Sequence, residues 1–260
     1  ADIGVLYPID SLKAETSFDS CDPYYGNKPA GIDYMELGHW LVTELRRDFT
    51  FLHPETLADR CTADRGSLIL QNAVNRETYR VLIIPGGSTV SVRVMQKVKD
   101  FYDCGGAVIF TSRLPEQASE SGFDSVVREL VKSILENGSG PAGKAAFVAE
   151  ADYDGLSAVL SEFLKVPDVA MDAPAPLPGG SLGYLHKQKE NRNIYYFANS
   201  SDLAVSCPVT LRGKIEDPWF WDPHTGTRAR ADCFYSEKSG IPVTAISLEL
   251  PPVQSIFLIE

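Results

Sequence analysis

The chain has 260 residues, 44% hydrophobic and 23% charged, a composition typical of a globular protein with room for one large domain or two modest ones. Its 35 acidic and 24 basic residues give a net charge of −11, so the basic footprint of a nucleic-acid binder is missing and an anionic membrane would repel the surface. No apolar run is long enough to cross a membrane as a helix, and no basic segment followed by an apolar one opens the chain.

The chain starts directly on a strand-like run, Ile3-Gly4-Val5-Leu6-Tyr7, which suggests a mature or excised segment. A polar loop follows, with Asp19, Asp22, Pro23, Gly26 and Pro29. Asp33, with Glu36 three residues later, predicts a capped helix start. Tyr34, Leu37, Leu41 and Leu45 then share one helix face. Phe49–Leu52 is a short strand candidate before a break at His53-Pro54. Val81–Ile84 is a continuous apolar run, as expected of a parallel strand covered on both faces, and Pro85-Gly86-Gly87 ends it. From about Ser91, Val94, Val98 and Phe101 form a helical stripe that Gly105-Gly106 terminates, and Ala107–Phe110 is the next strand. Strand, helix, strand at this spacing is a right-handed βαβ unit. Helices over Phe123–Glu136 and Asp154–Leu164, with a strand at Ala146–Val148 between them, complete an open, doubly wound α/β sheet.

Asp172 to Gly180 carries Pro174, Pro176, Pro178, Gly179 and Gly180, and reads as a linker or long turn. Beyond it only strands are predicted: Leu182–Lys187, Asn193–Asn199, Cys207–Leu211, Pro218–Asp222, Val243–Leu250 and Gln254–Ile259. Short strands with frequent turn signals predict a small all-β sandwich. The division expected is an α/β domain over 1–172 and a β-sandwich over 173–260.

Few residues suggest chemistry. Gly86, Gly87 and Ser88 follow a strand and precede a helix, where open α/β sheets bind ligands and backbone N–H groups can hold an anion. The competing explanation is a tight turn that needs glycine for positive φ. Ser112 follows the next strand at the position of a nucleophile elbow, but lacks the flanking glycines of G-x-S-x-G. The next histidine after it is His186, in the β region, so a catalytic triad is not expected. Cys104 lies at a helix C-terminus, which disfavours a thiolate. Cys21, Cys61, Cys104, Cys207 and Cys233 form neither a disulfide framework nor a zinc pattern. His39, His53, His186 and His224 show no metal-ligand spacing; Asp19, Asp22 and Asp33 read as solvated acids or caps. No metal or cofactor is expected. Alternation along the strand puts Trp219 and Trp221 on one face, either stacking on sugar rings or buried in the sandwich core. Asp222-Pro223-His224-Thr225-Gly226 then closes a hairpin.

Several stretches together carry a family resemblance. They are Val5-Leu6-Tyr7-Pro8, Tyr79–Gly86, Gly105–Pro115, Ile194–Asn199, Trp221–Gly226 and Leu250–Phe257. In this order they resemble the carboxy-terminal region of large α-L-rhamnosidase-like glycoside hydrolases from Bacteroidetes. The resemblance implies a flavodoxin-like, class I glutamine amidotransferase-like domain followed by a small β-sandwich. It implies a sugar-processing parent, periplasmic or secreted, whose catalytic barrel precedes this region and carries the paired carboxylates. None of those carboxylates can be placed in this sequence. The resemblance therefore implies a non-catalytic scaffold or oligomer contact, with the barrel as partner; their length and glycine content make the loops around Pro8–Gly31 and Gly86–Val90 the contact candidates. Two other functions remain open: a carbohydrate-binding module using Trp219 and Trp221, and a stand-alone amidotransferase-like hydrolase.

Overall fold

The computed structural model describes residues 1–16, 29–74, 76–137, 142–174 and 177–260. They divide into two units, Ala1–Leu37 with Phe49–Leu164, and Gly38–Asp48 with Lys165–Glu260.

The elements through the first unit are β1 (Ile3–Leu6), α1 (Ile9–Glu15), α2 (Tyr34–His39), β2 (Phe49–Leu52), α3 (Pro54–Arg60), β3 (Cys61–Asp64), β4 (Ser67–Gln71) and β5 (Arg76–Tyr79). They continue with β6 (Val81–Ile84), β7 (Thr89–Val90), α4 (Val92–Asp103), β8 (Ala107–Thr111), β9 (Gln117–Ala118), α5 (Asp124–Asn137), β10 (Lys144–Val148) and α6 (Tyr153–Phe163). The main sheet runs β10-β8-β6-β1-β2, parallel at every pairing. Counted along the chain its strands lie in the order 2-1-3-4-5, so the winding reverses between β1 and β6. Every residue of β1, β6 and β8 is buried, as their unbroken apolar runs require. Helix α4 begins where Ser91 Oγ accepts the Val94 N–H at 3.3 Å, and ends at Cys104 with Gly105 following at φ +100°. Its Val94, Val98 and Phe101 are fully buried, each worth roughly 1.5–3 kcal/mol.

Four local readings of the sequence need correction. The segment after Leu6 starts as helix α1, with Asp10 in its first turn and Lys13 in its last, signs that suit the helix dipole. Asp19, Cys21, Asp22, Pro23 and Gly26 lie outside the described residues. His53-Pro54 starts a helix where a break was expected: His53 caps α3 and Pro54 takes its first turn, where a missing N–H costs nothing. The stripe from Tyr34 to Leu45 is not one α-helix. It passes into a π-turn over Trp40–Glu44, where the Leu45 N–H reaches back to the Trp40 carbonyl at 2.9 Å. Between α3 and β6 the sequence showed no elements, yet β3, β4 and β5 form an antiparallel meander. Arg65 and Gly66, at φ +44° and +74°, make the two-residue turn that joins β3 to β4.

The second unit contains β11 (Val169–Met171), β12 (Leu182–Lys189), β13 (Arg192–Asn199), β14 (Val205–Arg212), β15 (Trp219–Trp221), β16 (Arg228–Arg230), β17 (Cys233–Lys238), β18 (Ile241–Leu250) and β19 (Gln254–Ile259). Two antiparallel sheets, β11-β14-β18-β17 and β12-β13-β19-β15-β16, share one hydrophobic cluster. Val205, Cys207, Val209 and Leu211 point inward at alternate positions of β14, and Tyr195, Phe197 and Leu258 face the same core. Glu190 and Asn191, both at positive φ, close the β12–β13 hairpin. The Asp172–Gly180 stretch is held at its start: the buried Arg46 donates to the Ala173 carbonyl at 2.7 Å and also to that of Pro174. Pro176 lies outside the described residues. Strands β16 and β17 were not foreseen.

Candidate functional site

In the first unit, β6 leads into the Gly86-Gly87-Ser88 loop beside the end of β1, at the winding reversal, the usual ligand position in such sheets. Here the loop's own N–H groups are taken. Asp33, 7% exposed, accepts from the Gly86 N–H at 2.8 Å, from Thr111 Oγ1 at 2.9 Å and from Ser112 Oγ at 2.7 Å. The Gly87 N–H reaches the Arg113 carbonyl at 3.4 Å. Glu15, from α1, accepts from both the N–H and the hydroxyl of Ser88, and is ion-paired with Arg113. Ser11 Oγ accepts the Thr89 N–H and donates to the Thr89 carbonyl, and Asp10 accepts from the Ser91 N–H. The Glu15 carboxyl is penalised by burial, but the Ser88 and Arg113 hydrogen bonds and the Arg113 charge outweigh that and hold it below its usual range.

The glycines are there for space and not for φ. Neither Gly86 nor Gly87 has positive φ, which corrects the tight-turn explanation. A Cβ on Gly86 would sit 2.0 Å from the Gly31 carbonyl oxygen, and one on Gly87 2.3 Å from Ser11 Oγ.

Ser112 does sit on a sharp turn, at φ +56°. Its N–H donates to the Val148 carbonyl at 2.9 Å, and the following Arg113 N–H is spent on the Thr111 carbonyl. Its hydroxyl meets a carboxylate with no imidazole between. His39 is exposed on α2, His53 accepts the Glu55 N–H, and His224 lies by Ser255. His186 is in the other unit, between Asp168 at 2.8 Å and Asn193 at 3.0 Å. Among the described residues no imidazole reaches the Ser112 hydroxyl, and the N–H groups of Gly86, Gly87, Ser88, Ser112 and Arg113 are already engaged.

The cysteines are free among the described residues, with Cys61 and Cys207 buried. Burial pushes the Cys61 thiol up to about 11 and also raises Cys207. No group of three or more metal-ligating side chains occurs among the described residues. No helix among them is long and apolar enough to cross a membrane.

The second unit carries a cleft of about 780 Å³, floored by Trp219, Trp221 and Ile259. Both indoles are 40% exposed, so the core-packing alternative is overturned; Phe220, of opposite parity, is the one that packs inward. Glu216, Asp217 and Glu260 line the cleft together with Arg192 and Arg228. The Arg228 guanidinium lies 5.1 Å from the Trp221 ring centre. Trp219 Nε1 donates to Asp217 at 3.3 Å, and Asp217 also pairs with Arg230. The Asp222 carboxylate accepts the N–H groups of His224 and Thr225, forming the expected hairpin turn after Trp221. The sequence singled out the two tryptophans but none of the charged lining; Glu216 and Asp217, just before Trp219, were the local hint.

A family model described as alpha-L-rhamnosidase, glycoside hydrolase 106, matches residues 35–236. No curated protein matches the sequence. Among solved structures, a rhamnosidase from Novosphingobium sp. PP1Y is similar over 100% of this chain and 22% of its own, at 18% identity and a TM-score of 0.67. Gan42B, a GH42 beta-galactosidase from G. stearothermophilus, is similar over 100% of this chain and 40% of its own, at 11% identity and a TM-score of 0.58. A beta-galactosidase from Bacillus circulans sp. alkalophilus gives 100%, 41%, 12% and 0.57 in the same order. At these identities the structural likeness is one of fold. The chain thus spans about a fifth of the rhamnosidase it matches, 22%. By the match over 35–236, this chain belongs to the α-L-rhamnosidase family, glycoside hydrolase 106.

Proposed function

We infer that this chain is a non-catalytic accessory region of a glycan-degrading glycoside hydrolase. In this reading it is the carboxy-terminal part of a bacteroidete α-L-rhamnosidase-like enzyme, periplasmic or secreted, whose partner is the enzyme's own catalytic barrel. Its α/β domain is an amidotransferase-like, flavodoxin-like scaffold that needs no cofactor. One observation carries the reading: the loop where such a fold binds ligand is filled by the chain's own carboxylates, Asp33 and Glu15. A ligand anion would have to displace buried, charge-assisted hydrogen bonds to reach those N–H groups.

The alternative is a stand-alone hydrolase using Ser112. Treating the whole chain with a fluorophosphonate probe and assaying it on nitrophenyl α-L-rhamnoside separates the two. The accessory reading expects no adduct on Ser112 and no hydrolysis. An adduct on Ser112, or turnover abolished by Ser112→Ala, would overturn it.

A further inference from the structure

We propose that the cleft floored by Trp219 and Trp221 binds a neutral saccharide. This goes beyond the accessory reading and does not depend on it, because the cleft belongs wholly to the second unit.

The floor supplies the first element of the site. Trp219 and Trp221 project from the same face of β15, two residues apart, and both remain 40% exposed. The face of an indole is the negative side of its quadrupole. The ring face of a pyranose presents C–H bonds with their positive ends outward, so the two attract while both surfaces leave water. Trp219 is further held by its Nε1–H on Asp217, and Asp217 by Arg230. The platform is therefore oriented before any ligand arrives, which lowers the ordering cost of binding.

The walls supply the second. A sugar hydroxyl both donates and accepts, so a site that holds one needs both kinds of partner. Glu216, Asp217 and Glu260 only accept, and Arg192 and Arg228 only donate. The Glu260 carboxylate is itself positioned by the Glu216 N–H at 2.9 Å and by Asn193. The open cleft has a volume of about 780 Å³, room for a sugar ring over the indoles.

Charge then selects the class of sugar. The lining carries three carboxylates against two guanidiniums, on a chain of net charge −11. Asp217 is paired with Arg230 and Glu216 with Lys214, so the local charges nearly balance, and it is the net charge of the whole chain that disfavours a uronic acid or sulfated sugar.

The test uses the whole chain and a panel of neutral mono- and oligosaccharides that includes L-rhamnose and galacto-oligosaccharides, with galacturonate as the anionic comparison. Tryptophan fluorescence and saturation-transfer NMR read the binding. The expected result is saturable quenching by a neutral member and none by galacturonate. Trp219→Ala and Trp221→Ala should each weaken binding at least tenfold. Arg192→Ala, at an exposed position where folding is not at stake, should weaken it several-fold. Binding that favours galacturonate, survives both tryptophan variants, or fails across the neutral panel overturns the proposal. So does a finding that the indoles are shielded by another domain in the longer enzyme. A Ser112 adduct would leave this proposal standing and remove only the accessory reading.

Discussion

Asp33 shows how one side chain decides between two chemistries. Its carboxylate collects a backbone N–H and two hydroxyls from residues 53 to 79 positions away. Asp33→Ala strands those donors in a buried place, where each unsatisfied group costs about 1–3 kcal/mol. A loss of roughly 3 kcal/mol in urea denaturation is expected, and a smaller one for Asp33→Asn, which keeps one acceptor. A loss below about half a kcal/mol, ordinary for surface substitutions, would mean that water replaces the carboxylate easily. The sequence marked Asp33 as a helix cap or a solvated acid; α2 does begin at the next residue, but the side chain is buried. What it could not show is the side chain's destination, since a local pattern carries no record of which distant loop it will meet. The cysteines were more legible, because an apolar neighbourhood is a local property. With its thiol raised to about 11, Cys61 should resist a disulfide reagent in the native chain near about pH 8 and react once unfolded.

At the scale of elements, the long apolar runs were readable and the short punctuated ones were not. Val81–Ile84 and Ala107–Thr111 are buried on both faces, so hydrophobicity alone marks them. Helix α4 showed both its stripe and its terminating glycines. Helix α1 lacks such a run, and the meander has only the short Leu68-Ile69-Leu70 in β4, joined to β3 by a two-residue turn at positive φ. Strand β16 is exposed throughout and β17 nearly so, which leaves no core-facing alternation to detect. The Gly86-Gly87 pair was visible as a turn, while its cause, the close approach of Gly31 and of Ser11 on α1, was not. Gly87→Ala should therefore push against α1 and destabilise the chain by roughly 1–3 kcal/mol, the usual cost of overpacking. Ser91→Ala, which only removes the α4 cap, should cost about 1 kcal/mol. Thermal denaturation of both variants checks the order; equal losses would mean that the loop yields freely to the added methyl.

For the whole molecule, each unit holds a carboxylate that folding makes more acidic. In the first it is Glu15. In the second it is Asp168, where burial acts to raise the carboxyl, but the His186 hydrogen bond and charge, with Arg212, outweigh it and leave it lowered. His186 was read from sequence only as lying in the β region, although its strand parity turns it inward onto Tyr195, 4.0 Å between ring centres. A carboxylate lowered on folding contributes stability that is complete above its unfolded value, about 4.3 for Glu and 3.9 for Asp. That contribution is lost as pH falls through the still lower folded value, because protonation then costs the native state its partners. Stability from these two groups should thus hold down to about pH 5 and decline below about pH 4. The general charging of the chain in acid also destabilises it, so the discriminating quantity is the gap between the chain and its variants. Glu15→Gln and Asp168→Asn should each be less stable than the unmodified chain near neutrality, and the gap should close as pH falls towards about 2, where the native carboxyls are protonated as well. Urea midpoints measured across that range supply the gap directly. A gap that stays constant with pH would assign the two residues a packing role independent of their charge, and the acid response would then belong to other groups.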